Sequence, residues 1–198
     1  TSAESADQIN PDVTTENNSF CYLAWQDNRN GHFDIYGQKC DSNGNMLWGN
    51  EKKINIDSGT TDHINPAITF SQSGNIYITW QDGRDGNQDI FAQKLDSNGN
   101  ILWDNDKKVN SDGGSANQER PVIVAESGGT FYVAWEDARN GNKDIYAQKM
   151  NPDGEKQWSN DLLVNGINNK DQSAPAMDID EQNNIYLEIG RASCRERV

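Results

Sequence analysis

Apolar residues along this chain fall in short alternating runs, not at the three-to-four spacing of an amphipathic helix. Between residues 66 and 110 the runs cover 67–71, 75–81, 88–95 and 107–110, with 101–103 at the edge of the last. Each is rich in Ile, Val, Tyr or Trp and is bounded by Gly, Asn, Asp or Ser, the composition of strands and their turns. Pro66 is expected to open the first strand, where its missing N–H does least harm. The pattern predicts four short antiparallel strands and no helix longer than a turn.

The same order of runs recurs along the chain. WQDNRNGHFDIYGQKCDSNGNMLW starts at Trp25, WQDGRDGNQDIFAQKLDSNGNILW at Trp80 and WEDARNGNKDIYAQKMNPDGEKQW at Trp135, steps of 55 (80 − 25 and 135 − 80). Pro11, Pro66, Pro121 and Pro175 open the units at steps of 55, 55 and 54. A fixed period of this size marks a repeat architecture, and four short strands per ~50 residues is the arithmetic of a β-propeller blade. The expected fold is therefore all-β: a partial β-propeller of three four-stranded antiparallel blades plus the start of a fourth, in an open arc. Residues 1–10 read as an inter-blade connection, 11–65, 66–120 and 121–174 as three blades, and 175–188 as the start of the fourth. Tyr186 falls over Tyr132, but Ile189 stands where the next tryptophan is due. The stretch IGRASCRERV, residues 189–198, reads as one frame of a common sequencing adapter and is expected to be a non-native tail on a fragment of a longer reading frame.

The repeats also suggest a register. If Asp82 faces Asp89, then Trp80 faces Phe91 and Ile76 faces Leu95, while Thr79 meets Ala92 on the other face. The third unit gives Trp135–Tyr146 against Ala134–Ala147, and the first gives Trp25–Tyr36 against Ala24–Gly37. Each unit thus has a bulky face and a small-residue notch, so that the large side of one blade can fill the notch of the next at ~10 Å. Trp25, Trp80 and Trp135, together with Trp48, Trp103 and Trp158, are expected in the blade cores. One buried Trp removes ~200 Å² from water, roughly 5 kcal/mol gross.

The loop of each middle hairpin carries Asp-x-Arg-(Asn/Asp)-Gly-x-x-Asp: Asp27, Arg29 and Asp34; Asp82, Arg84 and Asp89; Asp137, Arg139 and Asp144. Calcium-binding loops place an oxygen ligand where Arg stands here, and a fixed positive charge opposes a cation. The expected role is structural: the guanidinium occupies the loop centre and bridges the two carboxylates. Gly31, Gly86 and Gly141 supply the left-handed residue that such a loop needs. No cofactor is expected, and Ca²⁺ in these loops is disfavoured.

Charge narrows the partners. A formal charge of −14 repels nucleic acid and anionic membranes, and no apolar run approaches the ~20 residues of a membrane span. Cys21 and Cys40 stand where the other units have Ile76 and Leu95, or Phe131 and Met150, directly opposite in this register. Two core thiols and a cross-strand disulfide both fit, the latter if the protein is exported. Cys194 lies in the tail. His32 and His63 fall in expected loops without metal-ligand spacing. Glu126 and Glu136 replace Ser71 and Gln81 and read as surface variation.

The Trp-x-Asp-x-Arg…Asp-Ile-Tyr pattern, with a Gly turn before a Trp, resembles the sialidase-like, neuraminidase-repeat β-propellers of secreted bacterial proteins over residues 1–188. The turn Asp96-Ser97-Asn98-Gly99-Asn100-Ile101-Leu102-Trp103 departs from the Asp box of that family. It puts Asp three before Gly and Trp four after, against two and three. The resemblance implies an extracellular or cell-surface location. Sialidase catalysis uses residues unique within the repeats: three converging arginines, a Tyr paired with Glu, and an acid/base Asp. Here Arg29, Arg84 and Arg139, and Tyr22, Tyr77, Tyr132 and Tyr186, are equivalent from unit to unit. The expected function is a non-catalytic binding or scaffold module for a glycan or protein ligand, needing further blades of its own chain to close. The alternative is part of a sialidase-like glycoside hydrolase whose catalytic residues lie in other blades.

Overall fold

The computed structural model describes residues 6–17, 19–166 and 170–190. Strands β1 (Gln8–Glu16), β2 (Phe20–Asp27), β3 (Asp34–Asp41) and β4 (Lys52–Lys53) form one antiparallel sheet in chain order. The pattern repeats in β5 (His63–Phe70), β6 (Asn75–Asp82), β7 (Asp89–Asp96) and β8 (Lys107–Lys108). It repeats again in β9 (Gln118–Ala125), β10 (Phe131–Asp137), β11 (Asp144–Met150) and β12 (Leu162–Leu163). A two-stranded sheet follows, β13 (Ser173–Ile179) and β14 (Ile185–Gly190). No described residue is helical, and none of them belongs to a helix long and apolar enough to cross a membrane. The first strands of consecutive units, β1, β5, β9 and β13, lie side by side as the inner strands of β-propeller blades.

Hairpin register follows the repeats. Trp25 pairs with Tyr36, Trp80 with Phe91 and Trp135 with Tyr146, one residue from Ala24–Gly37, Thr79–Ala92 and Ala134–Ala147. Cys21 and Cys40 face one another and are joined by a disulfide. The inner strands begin earlier than expected. Pro66 does not open β5 but sits within it, at a register shift between Ile64 and Ala67. An added residue lifts the proline nitrogen out of the ladder, so the strand continues through it. His63, expected in a loop, is consequently the first residue of a strand and is fully buried.

Packing is directional. Trp80, Ile78, Ile76 and Phe91 of the second unit pack on Tyr22, Ala24, Ile35 and Ile54 of the first. Trp135, Phe131, Val133 and Tyr146 of the third pack on Tyr77, Ala92, Ile90 and Val109 of the second. Trp80 and Trp135 therefore enter the notch of the preceding unit, not of the next as expected. Traffic also runs the other way. Trp48 lies against the turn of the second unit and donates Nε1–H to the Ser97 carbonyl at 3.2 Å. Gly99 has φ +78°, and a Cβ there would stand 2.8 Å from the Trp48 ring. Gly154 bears the same relation to Trp103. The repeated Gly is thus needed twice, for its left-handed turn and for the approach of an aromatic ring.

Ile189 and Gly190, expected to belong to the tail, close β14. Ile189 pairs with Pro175 and packs with Met177 and Leu187 on Ala134, Ile145 and Ala147, occupying the place of the blade tryptophans. Residues 191–198 lie outside the described residues.

Candidate functional site

The repeated hairpin loop begins as an Asx turn. Asp27, Asp82 and Asp137 each accept the backbone N–H two residues on, at 2.9, 2.9 and 3.0 Å. The other carboxylate oxygen receives the indole N–H of Trp25, Trp80 or Trp135 at 3.4, 3.0 and 2.9 Å. The arginine then folds back over the ring of the facing strand. Its guanidinium carbon lies 4.2, 4.2 and 4.1 Å from the ring centres of Tyr36, Phe91 and Tyr146. From there Arg29 reaches Asp27, while Arg84 meets Asp82 at 2.5 Å and Arg139 meets Asp137 at 2.6 Å. Asp27 is depressed to a pKa of about 2: burial opposes ionisation, but hydrogen bonds from Arg29, Gln8 and Trp25 outweigh it.

The second partner is not the one expected. None of Arg29, Arg84 and Arg139 bridges to Asp34, Asp89 or Asp144. Instead Arg29 bonds Glu51 at 2.5 Å, Arg84 bonds Asp106 at 2.9 Å and Arg139 bonds Asp161 at 2.8 Å. Stacking on the aromatic ring aims the guanidinium at the segment before the fourth strand. The far loop carboxylates are held elsewhere: Asp34 by Lys53 at 2.8 Å and Asn55 at 2.9 Å, Asp89 by Lys108 at 2.8 Å and Asn110 at 2.7 Å. In the third unit Leu163 replaces the lysine, and Asn165 bonds Asp144 at 2.9 Å. Asp106 and Asp161 also accept a backbone N–H from the preceding unit, Ile56 at 3.3 Å and Ser111 at 2.8 Å. The acidic residues at 51, 106 and 161 keep the 55-residue step, a signal that sequence reading passed over. Among the described residues no group of three or more acidic, histidine or cysteine side chains is arranged to hold a metal ion.

A different region was missed altogether. Each inner strand carries a non-glycine residue in the left-handed region immediately before its proline: Asn10 (φ 51°), Asn65 (52°), Arg120 (52°) and Ala174 (53°). Asn tolerates this conformation; for Arg and Ala it costs of order 1–3 kcal/mol. Side chains of the preceding unit pin the strained amides. Gln26 accepts from Asn65 N–H, Gln81 from Arg120 N–H and Glu136 from Ala174 N–H, each at 2.9 Å. Glu136, read from sequence as surface variation, is buried and pairs with Lys143 at 2.8 Å.

The four bulges surround one mouth between the inner strands, of about 470 Å³, whose lining includes Asn10, Asp12, Asn65, Arg120 and four prolines. Asn10 donates to Asn65 at 2.9 Å across it. Arg120, with its side chain 62% exposed, is the cation of the mouth. Asp12 is its carboxylate, and its two oxygens accept the backbone N–H groups of Val13 and Ile68 at 2.9 Å each. The repeats diverge here: QINPDVTTE, HINPAITFS, QERPVIVAE and QSAPAMDID share only the proline. That divergence was the readable signal.

No protein-family model matches the chain, and comparison with curated proteins finds no relative. Solved structures match in fold. An endo-arabinase from Bacteroides thetaiotaomicron aligns with TM-score 0.59 at 14% identity, over 98% of this chain and 75% of that one. An N-acetylgalactosamine deacetylase from F. plautii, in complex with blood group B trisaccharide, aligns with TM-score 0.57 at 8% identity, over 91% and 60%. A family 117 glycoside hydrolase from Zobellia galactanivorans aligns with TM-score 0.52 at 12% identity, over 81% and 56%. The chain thus spans between about half and three quarters of these proteins. At such identities the likeness is one of fold, the fold of glycoside hydrolases built as β-propellers.

Proposed function

We propose that this chain is part of a secreted or cell-surface β-propeller of sialidase-like repeats that binds a glycan, without cleaving it, at the mouth between its inner strands. The observation that carries the reading is the ring of four left-handed bulges, Asn10, Asn65, Arg120 and Ala174, in a stretch where the four units share only the proline. Strain of this kind collects at ligand-facing positions. Amides and one guanidinium beside flat proline surfaces suit sugar hydroxyls better than they suit an apolar ligand. The named solved structures with this fold are carbohydrate-active proteins, one holding a trisaccharide, which supports a glycan as ligand.

A hydrolytic reading has the same neighbours behind it, with catalytic groups contributed by other blades. Glycoside hydrolysis uses two carboxyl groups about 5–9.5 Å apart. In this mouth Asp12 is the lining carboxylate, and both its oxygens are engaged by backbone N–H groups, which favours binding over cleavage. Calorimetry against a panel of neutral and acidic oligosaccharides, including arabinan fragments and the blood group B trisaccharide, separates the two. Saturable binding without release of reducing sugar is expected. Arg120→Ala should weaken it by about tenfold, the worth of a charged hydrogen bond. Progressive release of reducing sugar would favour the hydrolase.

A further inference from the structure

The first inner-strand position is Gln8 in the first unit and Gln118 in the third, and Gln172 stands at the matching place just before β13, but in the second unit it is His63. This position lies in the seam between the first two units. The His63 ring is fully buried and is met by carboxylates from three segments. Nε2 is 2.9 Å from Asp57 in the connection and 3.2 Å from Asp82 at the end of β6. Nδ1 is 3.8 Å from Asp34 of the first unit and 3.2 Å from the Phe33 carbonyl oxygen. The other charged groups facing this cluster are few. Arg84 lies 2.5 Å from Asp82, 3.4 Å from Asp57 and 2.9 Å from Asp106. Lys53 lies 2.8 Å and His32 3.6 Å from Asp34. Four carboxylates therefore share two permanent cations, Arg84 and Lys53. A glutamine at this position could not supply a third; Gln118 instead makes neutral and ion–dipole bonds to Asn110 at 3.1 Å and Asp112 at 3.3 Å.

We propose that His63 is a proton-dependent fastener between the first and second units. As imidazolium it sits at ion-pair distance from Asp57 and Asp82 together and ties the connection to the sheet. As a neutral ring it leaves Arg84 as the cation that both carboxylates share, and with Asp82 fully buried an underpaired charge is costly. Burial by itself would lower the histidine pKa, but the Asp82 carboxylate and the charge of Asp57 outweigh it and hold it above 6.5. The sign follows. The contribution is fully present below about pH 6.5, the unfolded value, and is lost as pH rises through the higher folded value.

Two measurements on the full chain test this. In the first, the ring resonances of His63 and His32 are titrated by NMR, and His63 is expected to inflect above pH 6.5. In the second, chemical denaturation of wild type and H63Q is compared from about pH 6 to pH 9. The wild-type-to-variant ratio of folding equilibrium constants should fall by about tenfold for each unit by which the His63 pKa exceeds its unfolded value. A His63 inflection below pH 6.5, or no inflection, overturns the proposal. So does a ratio that stays flat with pH. Should H63Q fail to fold, the wild-type titration alone decides.

Discussion

The arginine in each hairpin loop is a junction between near and distant parts of its unit. It stacks on an aromatic ring, bonds the aspartate two residues before it, and reaches an acidic residue 22 positions later. In the second and third units that distant acid is buried and also receives an N–H from the preceding unit, so the arginine stabilises a contact between blades. In the first unit the distant acid is Glu51, 38% exposed. The consequence is unequal dependence on identical residues. Arg84→Ala and Arg139→Ala should each cost about 3 kcal/mol by leaving a buried carboxylate unpaired. Arg29→Ala should cost about 1 kcal/mol less than these, since buried Asp27 still loses its cation but Glu51 is exposed. Urea denaturation of the three variants checks this, and equal losses would show that burial of the second carboxylate is immaterial. Sequence made the arginine and its first aspartate legible because they are two residues apart. The true second partner was hidden because Asp34, Asp89 and Asp144 are nearer along the chain, and only the ring beneath the guanidinium decides where it points.

At the scale of elements, the units are fastened by features that serve a turn and an interface together. Gly44 and Gly99 adopt the same left-handed conformation, φ +82° and +78°, in equivalent turns. A Cβ on Gly44 meets nothing within 4 Å, whereas on Gly99 it strikes the Trp48 ring. Alanine at either position pays about 1–2 kcal/mol for the left-handed backbone. Gly99→Ala should lose about 1–3 kcal/mol more through overpacking. The difference between the variants in thermal or urea unfolding measures the interface alone; no difference would mean that Trp48 does not press on that turn. The strands of each hairpin were legible from alternation, and their register from the repeat. The inner strands were not read to their true starts, since a proline signals a boundary unless a bulge carries it. Nor did alternation show that Trp80 and Trp135 pack backward while Trp48 and Trp103 reach forward.

The whole molecule separates what is repeated from what is not. Repetition accounts for the tryptophans, the arginines and the glycine turns, and these hold blades together. Divergence gathers at the start of the inner strands, where His63 replaces glutamine and where Asn10, Asn65, Arg120 and Ala174 ring the mouth. The fold was legible because a repeated pattern is read three times over. The mouth was not: its residues keep the repeat spacing, each just before a repeat proline, but their types run Asn, Asn, Arg and Ala, and nothing in the sequence shows a left-handed backbone there or that the inner strands stand side by side. The most direct test is an NMR titration of the labelled chain with the tightest-binding oligosaccharide of the panel, following backbone amides residue by residue. Shifts that saturate and cluster at Asn10, Asn65, Arg120 and Ala174 are the predicted result. Shifts confined to the hairpin loops around Arg29, Arg84 and Arg139, with the mouth unmoved, would contradict it.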